Sequence, residues 1–172
     1  NYNPVHGDYP DIKGDQAVWW IFNDDGNTHT NSGGKAIGIE VTVMAYAFDT
    51  DDALGNTTFY HYEFRKQTLG TLDSVYVGQW VDVDLGNFTD DEVGYVKDKN
   101  MGVGMNGPSF DQGGNGYGYG KNPPLLGVKI LKGPKENGSH LGMSHFVYYE
   151  NSWANNGNPE TPQQYLSSAR PY

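Results

Sequence analysis

Residues 17–22, Ala-Val-Trp-Trp-Ile-Phe, form a short apolar and aromatic run closed by Asn23-Asp24-Asp25-Gly26-Asn27, whose Asp-Gly pair is a turn signal. This predicts a strand followed by a turn. Residues 36–48 make the longest apolar stretch. In an extended chain Ile37, Ile39, Val41, Val43, Ala45 and Ala47 leave on one face, and Glu40, Thr42, Met44, Tyr46 and Phe48 on the other. Both faces are largely apolar, which predicts a central strand. Residues 57–66 alternate again, Tyr60, Tyr62 and Phe64 against Phe59, His61, Glu63 and Arg65, and predict another strand. After a turn at 69–73, residues 74–84 alternate too. They are expected to form a strand that pairs back on 57–66 as a hairpin.

Beyond Gly94 the chain turns glycine-rich, ending in Gly113-Gly114-Asn115-Gly116-Tyr117-Gly118-Tyr119-Gly120, and reads as an irregular loop carrying exposed aromatics. No periodic element is expected there. Residues 125–131 and 144–149 predict two more strands, and Thr161 caps a short helix after Pro162. Six or more strands and no long helix predict an all-β fold. The expected architecture is an antiparallel β-sandwich, jelly-roll-like, with long Gly/Tyr-rich loops and a short C-terminal helix at most. Adjacent Trp19 and Trp20 must face opposite ways on a strand, so at least one is expected in the core.

Composition agrees with that fold: 24 Gly, 9 Pro and 13 Tyr suit a strand-and-turn chain better than a helical one. With 172 residues, a single domain over 1–172 has enough chain for a core. The net charge of -10 argues against nucleic acid and acidic headgroups as partners, since both demand a basic surface. No apolar run is long enough to insert in a membrane as a helix. With no cysteine, disulfides and thiolate metal sites are excluded, and packing and ions must stabilise the fold. Few lysines beside abundant Asn, Gly and Tyr suit an extracellular surface.

Charge is densest over residues 80–92, Trp-Val-Asp-Val-Asp-Leu-Gly-Asn-Phe-Thr-Asp-Asp-Glu. Asp82 and Asp84 fall on one face of an extended chain and repel each other unless water screens them or a cation bridges them. The loop begins like an EF-hand, Asp82-x-Asp84-x-Gly86, but has Asn87 and Val93 where an EF-hand needs Gly and Glu. An irregular Ca²⁺ site drawing on Asp82, Asp84, Asp90 and Asp91 is one expectation, because calcium accepts irregular oxygen shells. A solvated acidic turn is the other. Asp49, Asp51 and Asp52 could form a second metal loop, whereas turn chemistry alone explains Asn23-Asp24-Asp25-Gly26.

The five histidines include no pair at transition-metal spacing. His61 beside Glu63 is an acid-base pair of a kind common in ordinary sheets. No nucleophile elbow, phosphate loop or His-Glu-x-x-His motif is present. Tyr76, Trp80, Tyr117 and Tyr119 could make a glycan-stacking platform, since aromatic faces stack on the apolar faces of sugars.

Several segments carry a family resemblance: Lys13-Gly14-Asp15-Gln16-Ala17-Val18-Trp19-Trp20-Ile21-Phe22-Asn23-Asp24, Thr57-Thr58-Phe59-Tyr60-His61-Tyr62, and Gly78-Gln79-Trp80-Val81-Asp82-Val83-Asp84-Leu85-Gly86. Asp90-Asp91-Glu92-Val93-Gly94, Asn122-Pro123-Pro124-Leu125-Leu126-Gly127-Val128, Met143-Ser144-His145-Phe146-Val147-Tyr148-Tyr149 and Asn158-Pro159-Glu160-Thr161-Pro162 extend it over most of the chain. Together they resemble an uncharacterised region of large secreted and cell-surface proteins of Bacteroidetes-type bacteria that bear a type IX secretion sorting domain. The resemblance implies an extracellular or surface location and a segment of a larger precursor, and it carries over no catalytic residue. Relatives often have a cysteine shortly after the Asp-Asp-x-x-Gly-like segment, where this chain has Tyr95-Val96.

The first reading is therefore a non-catalytic, calcium-stabilised surface module acting in architecture, adhesion or extracellular assembly, with other copies of itself or other surface proteins as partners. A carbohydrate-binding module is the second reading, and a polysaccharide hydrolase the last.

Overall fold

A computed structural model describes residues 3–7, 11–30, 32–112, 118–150, 157–161 and 163–164. The fold is all-β and antiparallel, and the chain divides into two compact units, 1–73 and 74–172.

In the first unit β1 (Gln16–Asn23), β2 (Ile39–Ala47) and β3 (Thr58–Lys66) form a three-stranded sheet with β2 in the centre, as the two apolar faces of 36–48 require. The register sets Trp20 opposite Val43 and Val43 opposite Tyr62, with Phe22, Val41 and Phe64 as the next row. Val41 and Val43 are buried between these flanking aromatics. On the opposite face Tyr46 stacks on Phe59 at 5.2 Å, and Phe48 meets both rings edge-on.

Asp24 closes the long β1–β2 connection by accepting the amides of Ile37 at 2.5 Å and Ile39 at 2.9 Å. Neither Trp19 nor Trp20 is in the core: they are 57% and 37% exposed, because β1 is an edge strand and its neighbours cover only the β2 valines.

The second unit is built on β4 (Asp91–Val96), β5 (Met101–Asn106) and β8 (Leu125–Lys129), with β5 central. Two small hairpins accompany it: β6 (Phe110–Asp111) with β7 (Gly120–Lys121), and β9 (Lys135–Glu136) with β10 (Ser139–His140). Asn137 and Gly138 both have positive φ, as a two-residue hairpin turn demands.

Strand β5 overturns the expectation of an irregular chain beyond Gly94. Gly102 and Gly104 share one face of it, and side chains from elsewhere fill the space their missing Cβ atoms leave. A Cβ on Gly102 would lie 3.0 Å from the Phe146 ring, and one on Gly104 would lie 2.7 Å from Val83. Phe146 also stacks on Tyr95 of β4 at 5.7 Å. These glycines are sites of close packing rather than loop residues.

Two expected strands are absent. Among the described residues, 74–84 have no ladder partner, so the expected hairpin with β3 does not form; Ser74 takes a left-handed φ of 55° and β3 pairs with β2. The segment is held by side chains instead, Val83 on Gly104 and Trp80 stacked on Tyr149 at 5.3 Å. Residues 144–149 likewise pack through their rings and make only an isolated bridge at His145. At the tail, Thr161 Oγ1 accepts from the Gln164 amide while Gln164 Oε1 accepts from the amides of Glu160 and Thr161. This reciprocal pattern is a capping box, with Thr161 as the expected cap; the rest of the expected helix lies outside the described residues.

Candidate functional site

The acidic run after Trp80 leads from the unpaired segment through a 3-10 turn, Phe88–Asp90, into β4. Asn87 caps that turn by accepting the amide of Thr89. The run is thereby split in two environments. Asp82 and Asp84 are exposed on the segment without ladder partners, while Asp90 and Asp91 are partly buried where the sheet begins.

Asp91 Oδ2 accepts the Leu85 amide at 2.7 Å. Burial pushes the Asp91 carboxyl above its ordinary value, the Leu85 amide opposes that rise, and the charges of Asp90, Asp111 and Asp84 add to it. Asp91 thus feels three other carboxylates, all of them outside β4.

Across the ladder Asp91 faces Asn106, the last residue of β5. Asn106 is 8% exposed, and its Nδ2 donates to the Pro108 carbonyl at 2.8 Å. A carbonyl can only accept, which fixes the amide nitrogen toward Pro108 and turns Oδ1 away from it. That Oδ1 has no hydrogen-bond partner, and neither do the buried Oδ1 atoms of Asp90 and Asp91.

Asp111 is the most buried charged residue among those described, 1% exposed. Its Oδ1 accepts the Asn87 amide at 3.2 Å and its Oδ2 the Tyr119 amide at 2.8 Å. It ties the acidic loop to the hairpin of β6 and β7. The run 80–92 announces Asp90 and Asp91 but gives no hint of Asn106 or Asp111. Asn106 is marked only by register, and Asp111 lies in the stretch read as loop.

The second acidic loop is ordered by its own turn. Asp52 Oδ1 accepts the Thr50 hydroxyl at 2.7 Å and the Leu54 amide at 2.8 Å, and these bonds hold its carboxyl below the ordinary value. Asp49 donates its amide to Asp15 Oδ2, and Asp49, Asp51 and Asp52 are all exposed. Among the described residues, no three acidic or imidazole groups stand close enough to hold an ion by themselves.

His61 and Glu63 approach to 3.3 Å on an open sheet face, both well exposed. A concavity of about 340 Å³ is lined in part by Asp24, Glu40, Gln67 and Thr68, with Asp24 committed to the Ile37 and Ile39 amides.

Of the aromatics expected to stack on glycans, Trp80 is 52% exposed and lies 13° from parallel with Tyr149, while Tyr76 meets the His145 ring edge-on. Tyr119 is exposed immediately before β7, and Tyr117 lies outside the described residues. Among the described residues no helix is long and apolar enough to cross a membrane. No family model, no curated protein and no solved structure matches the chain.

Proposed function

We propose that the chain is a non-catalytic module of an exported protein, working at the cell surface or outside the cell in surface architecture, adhesion or extracellular assembly. The observation that carries this reading is the β1–β2–β3 face bearing Trp20, Phe22, Tyr60, Tyr62 and Phe64. All five are at least a third exposed and contiguous across the register.

The three β3 rings stack on one another at 6.4 and 6.3 Å, so they present a continuous apolar ridge of ring edges. Contiguous exposed apolar surface of this kind marks protein association. A second copy offers the same aromatic face, so the reading commits to self-association through isologous pairing. The acidic surface, the turn-rich chain and the segment resemblance to type IX-exported proteins support an extracellular setting.

Sedimentation velocity over a wide concentration range tests it. Dimers or larger assemblies that Trp20→Ser with Tyr62→Ser dissociates are expected, and a chain that stays monomeric throughout overturns it.

Trp80 favours a second reading, carbohydrate binding, because Tyr149 holds the ring flat while half of it stays open to solvent. Glycan-array binding lost in Trp80→Ala supports that reading, and an array without signal removes it.

A further inference from the structure

Three buried oxygens without a hydrogen-bond partner lie where β4 begins and β5 ends: Oδ1 of Asp90, Oδ1 of Asp91 and Oδ1 of Asn106. Buried polar atoms are nearly always satisfied, and three acceptor oxygens left over at one place fit a bound ion. We propose that these three oxygens are protein ligands of a calcium ion that fastens the start of β4 to the end of β5.

The anchoring of each group supports this role. Asp91 and Asn106 are ladder partners, so their side chains leave the sheet on one face. Each has one polar atom already engaged, Asp91 Oδ2 by the Leu85 amide and Asn106 Nδ2 by the Pro108 carbonyl. The remaining oxygen of each is held in place with nothing to bond. Asn106 is more than nine-tenths buried, which separates this arrangement from a solvated acidic turn.

The chemistry of the set selects the ion. Two carboxylates and one amide oxygen, with no imidazole or thiolate, suit a hard cation, and two negative charges match its charge. Calcium takes six to eight oxygens in irregular arrangements, so water and main-chain oxygens can complete the shell, whereas magnesium demands a regular octahedron.

Asp111 is a positioning residue in this scheme, because backbone amides already occupy both of its oxygens. Asp82 and Asp84 lie outside the shell, exposed on the segment that precedes it. The ligand set expected from the sequence thus loses Asp82 and Asp84 and gains Asn106.

The test uses the full 172-residue chain, stripped with EDTA and then given CaCl₂ or MgCl₂. Equilibrium dialysis should find one calcium per chain, with a dissociation constant of about 10⁻⁴ to 10⁻³ M as in extracellular modules. Calcium should raise the melting temperature more than magnesium does. Asp91→Asn and Asn106→Ala should each weaken calcium binding about tenfold or more, while Asp82→Asn leaves it unchanged.

Asp91→Asn keeps the shape of the carboxyl and removes its charge, so it should melt no lower than wild type in EDTA and gain nothing from calcium. That variant carries the test should Asn106→Ala fail to fold. Absence of bound calcium in the wild type overturns the proposal, as does a calcium response that survives Asp91→Asn and disappears in Asp82→Asn.

Discussion

Gly86 lies so close to Asp111 that a Cβ on it would fall 1.8 Å from the Asp111 Oδ2. Gly86 also has a φ of 72°, in the left-handed region. Both facts make glycine the residue that lets the acidic loop wrap a carboxylate buried to 1% exposure. Gly86→Ala should therefore destabilise the fold by about 2 to 3 kcal/mol, combining backbone strain with displacement of Asp111. Denaturant unfolding should show a lower midpoint with an unchanged slope.

Asp24 predicts an acid-side loss of stability. Its carboxyl is held below the ordinary 3.8, chiefly by the Ile37 amide, with burial opposing and the amides of Ile39 and Gly38 assisting. A depressed folded-state value means that the stabilisation is complete above the unfolded value. It is lost as pH falls through the folded value. Asp24→Asn should lower stability at neutral pH by about 1 kcal/mol, a modest figure because the site is open to solvent. Urea midpoints measured downward from pH 6 should keep their separation to about pH 4, near the unfolded carboxyl value, and converge only as pH falls further through the folded value.

Gly104 and Val83 give a coupled pair. A Cβ on Gly104 would meet Val83 at 2.7 Å, so Gly104→Ala overpacks the site and should cost about 1 to 3 kcal/mol. Val83→Ala removes the obstructing methyls. The double variant should be more stable than the sum of the two single losses, with a coupling of about 0.5 kcal/mol or more in a double-mutant cycle. Additive losses would show that Val83 does not occupy the space above Gly104.

How far the fold was legible follows from what alternation encodes. Strands β1, β2 and β3 carry large side chains at every second position, so period two is visible and even the central place of β2 can be read. In β5 the face shared by Gly102 and Gly104 has no side chain at either position, and the groups that fill it, Phe146 and Val83, come from distant parts of the chain. Residues 74–84 fail in the opposite sense, since alternation shows which side chains share a face but not whether a neighbouring backbone is there to pair. In the candidate site Asp90 and Asp91 stand out as charge. Asn106 depends on its register with Asp91, and Asp111 on amides at Asn87 and Tyr119, relations that tertiary structure creates.

Asn100 joins β4 to β5 through two properties that substitutions can separate. Its φ of 51° and ψ of 52° are left-handed, and its amide donates to the Lys97 carbonyl at 3.0 Å, which closes the 3-10 turn Lys97–Lys99. Its Oδ1 accepts the Tyr95 hydroxyl at 2.8 Å. Asn100→Gly keeps the backbone and loses only the side-chain bond, a loss of about 1 kcal/mol. Asn100→Ala loses that bond and adds a left-handed penalty of about 1 to 2 kcal/mol. Melting temperatures should therefore fall in the order wild type, Asn100→Gly, Asn100→Ala. Tyr95→Phe should lower the wild type by more than it lowers Asn100→Gly, because the Asn100 bond is already missing from that variant. Equal effects of Tyr95→Phe in both backgrounds would show that the hydroxyl contributes through other partners.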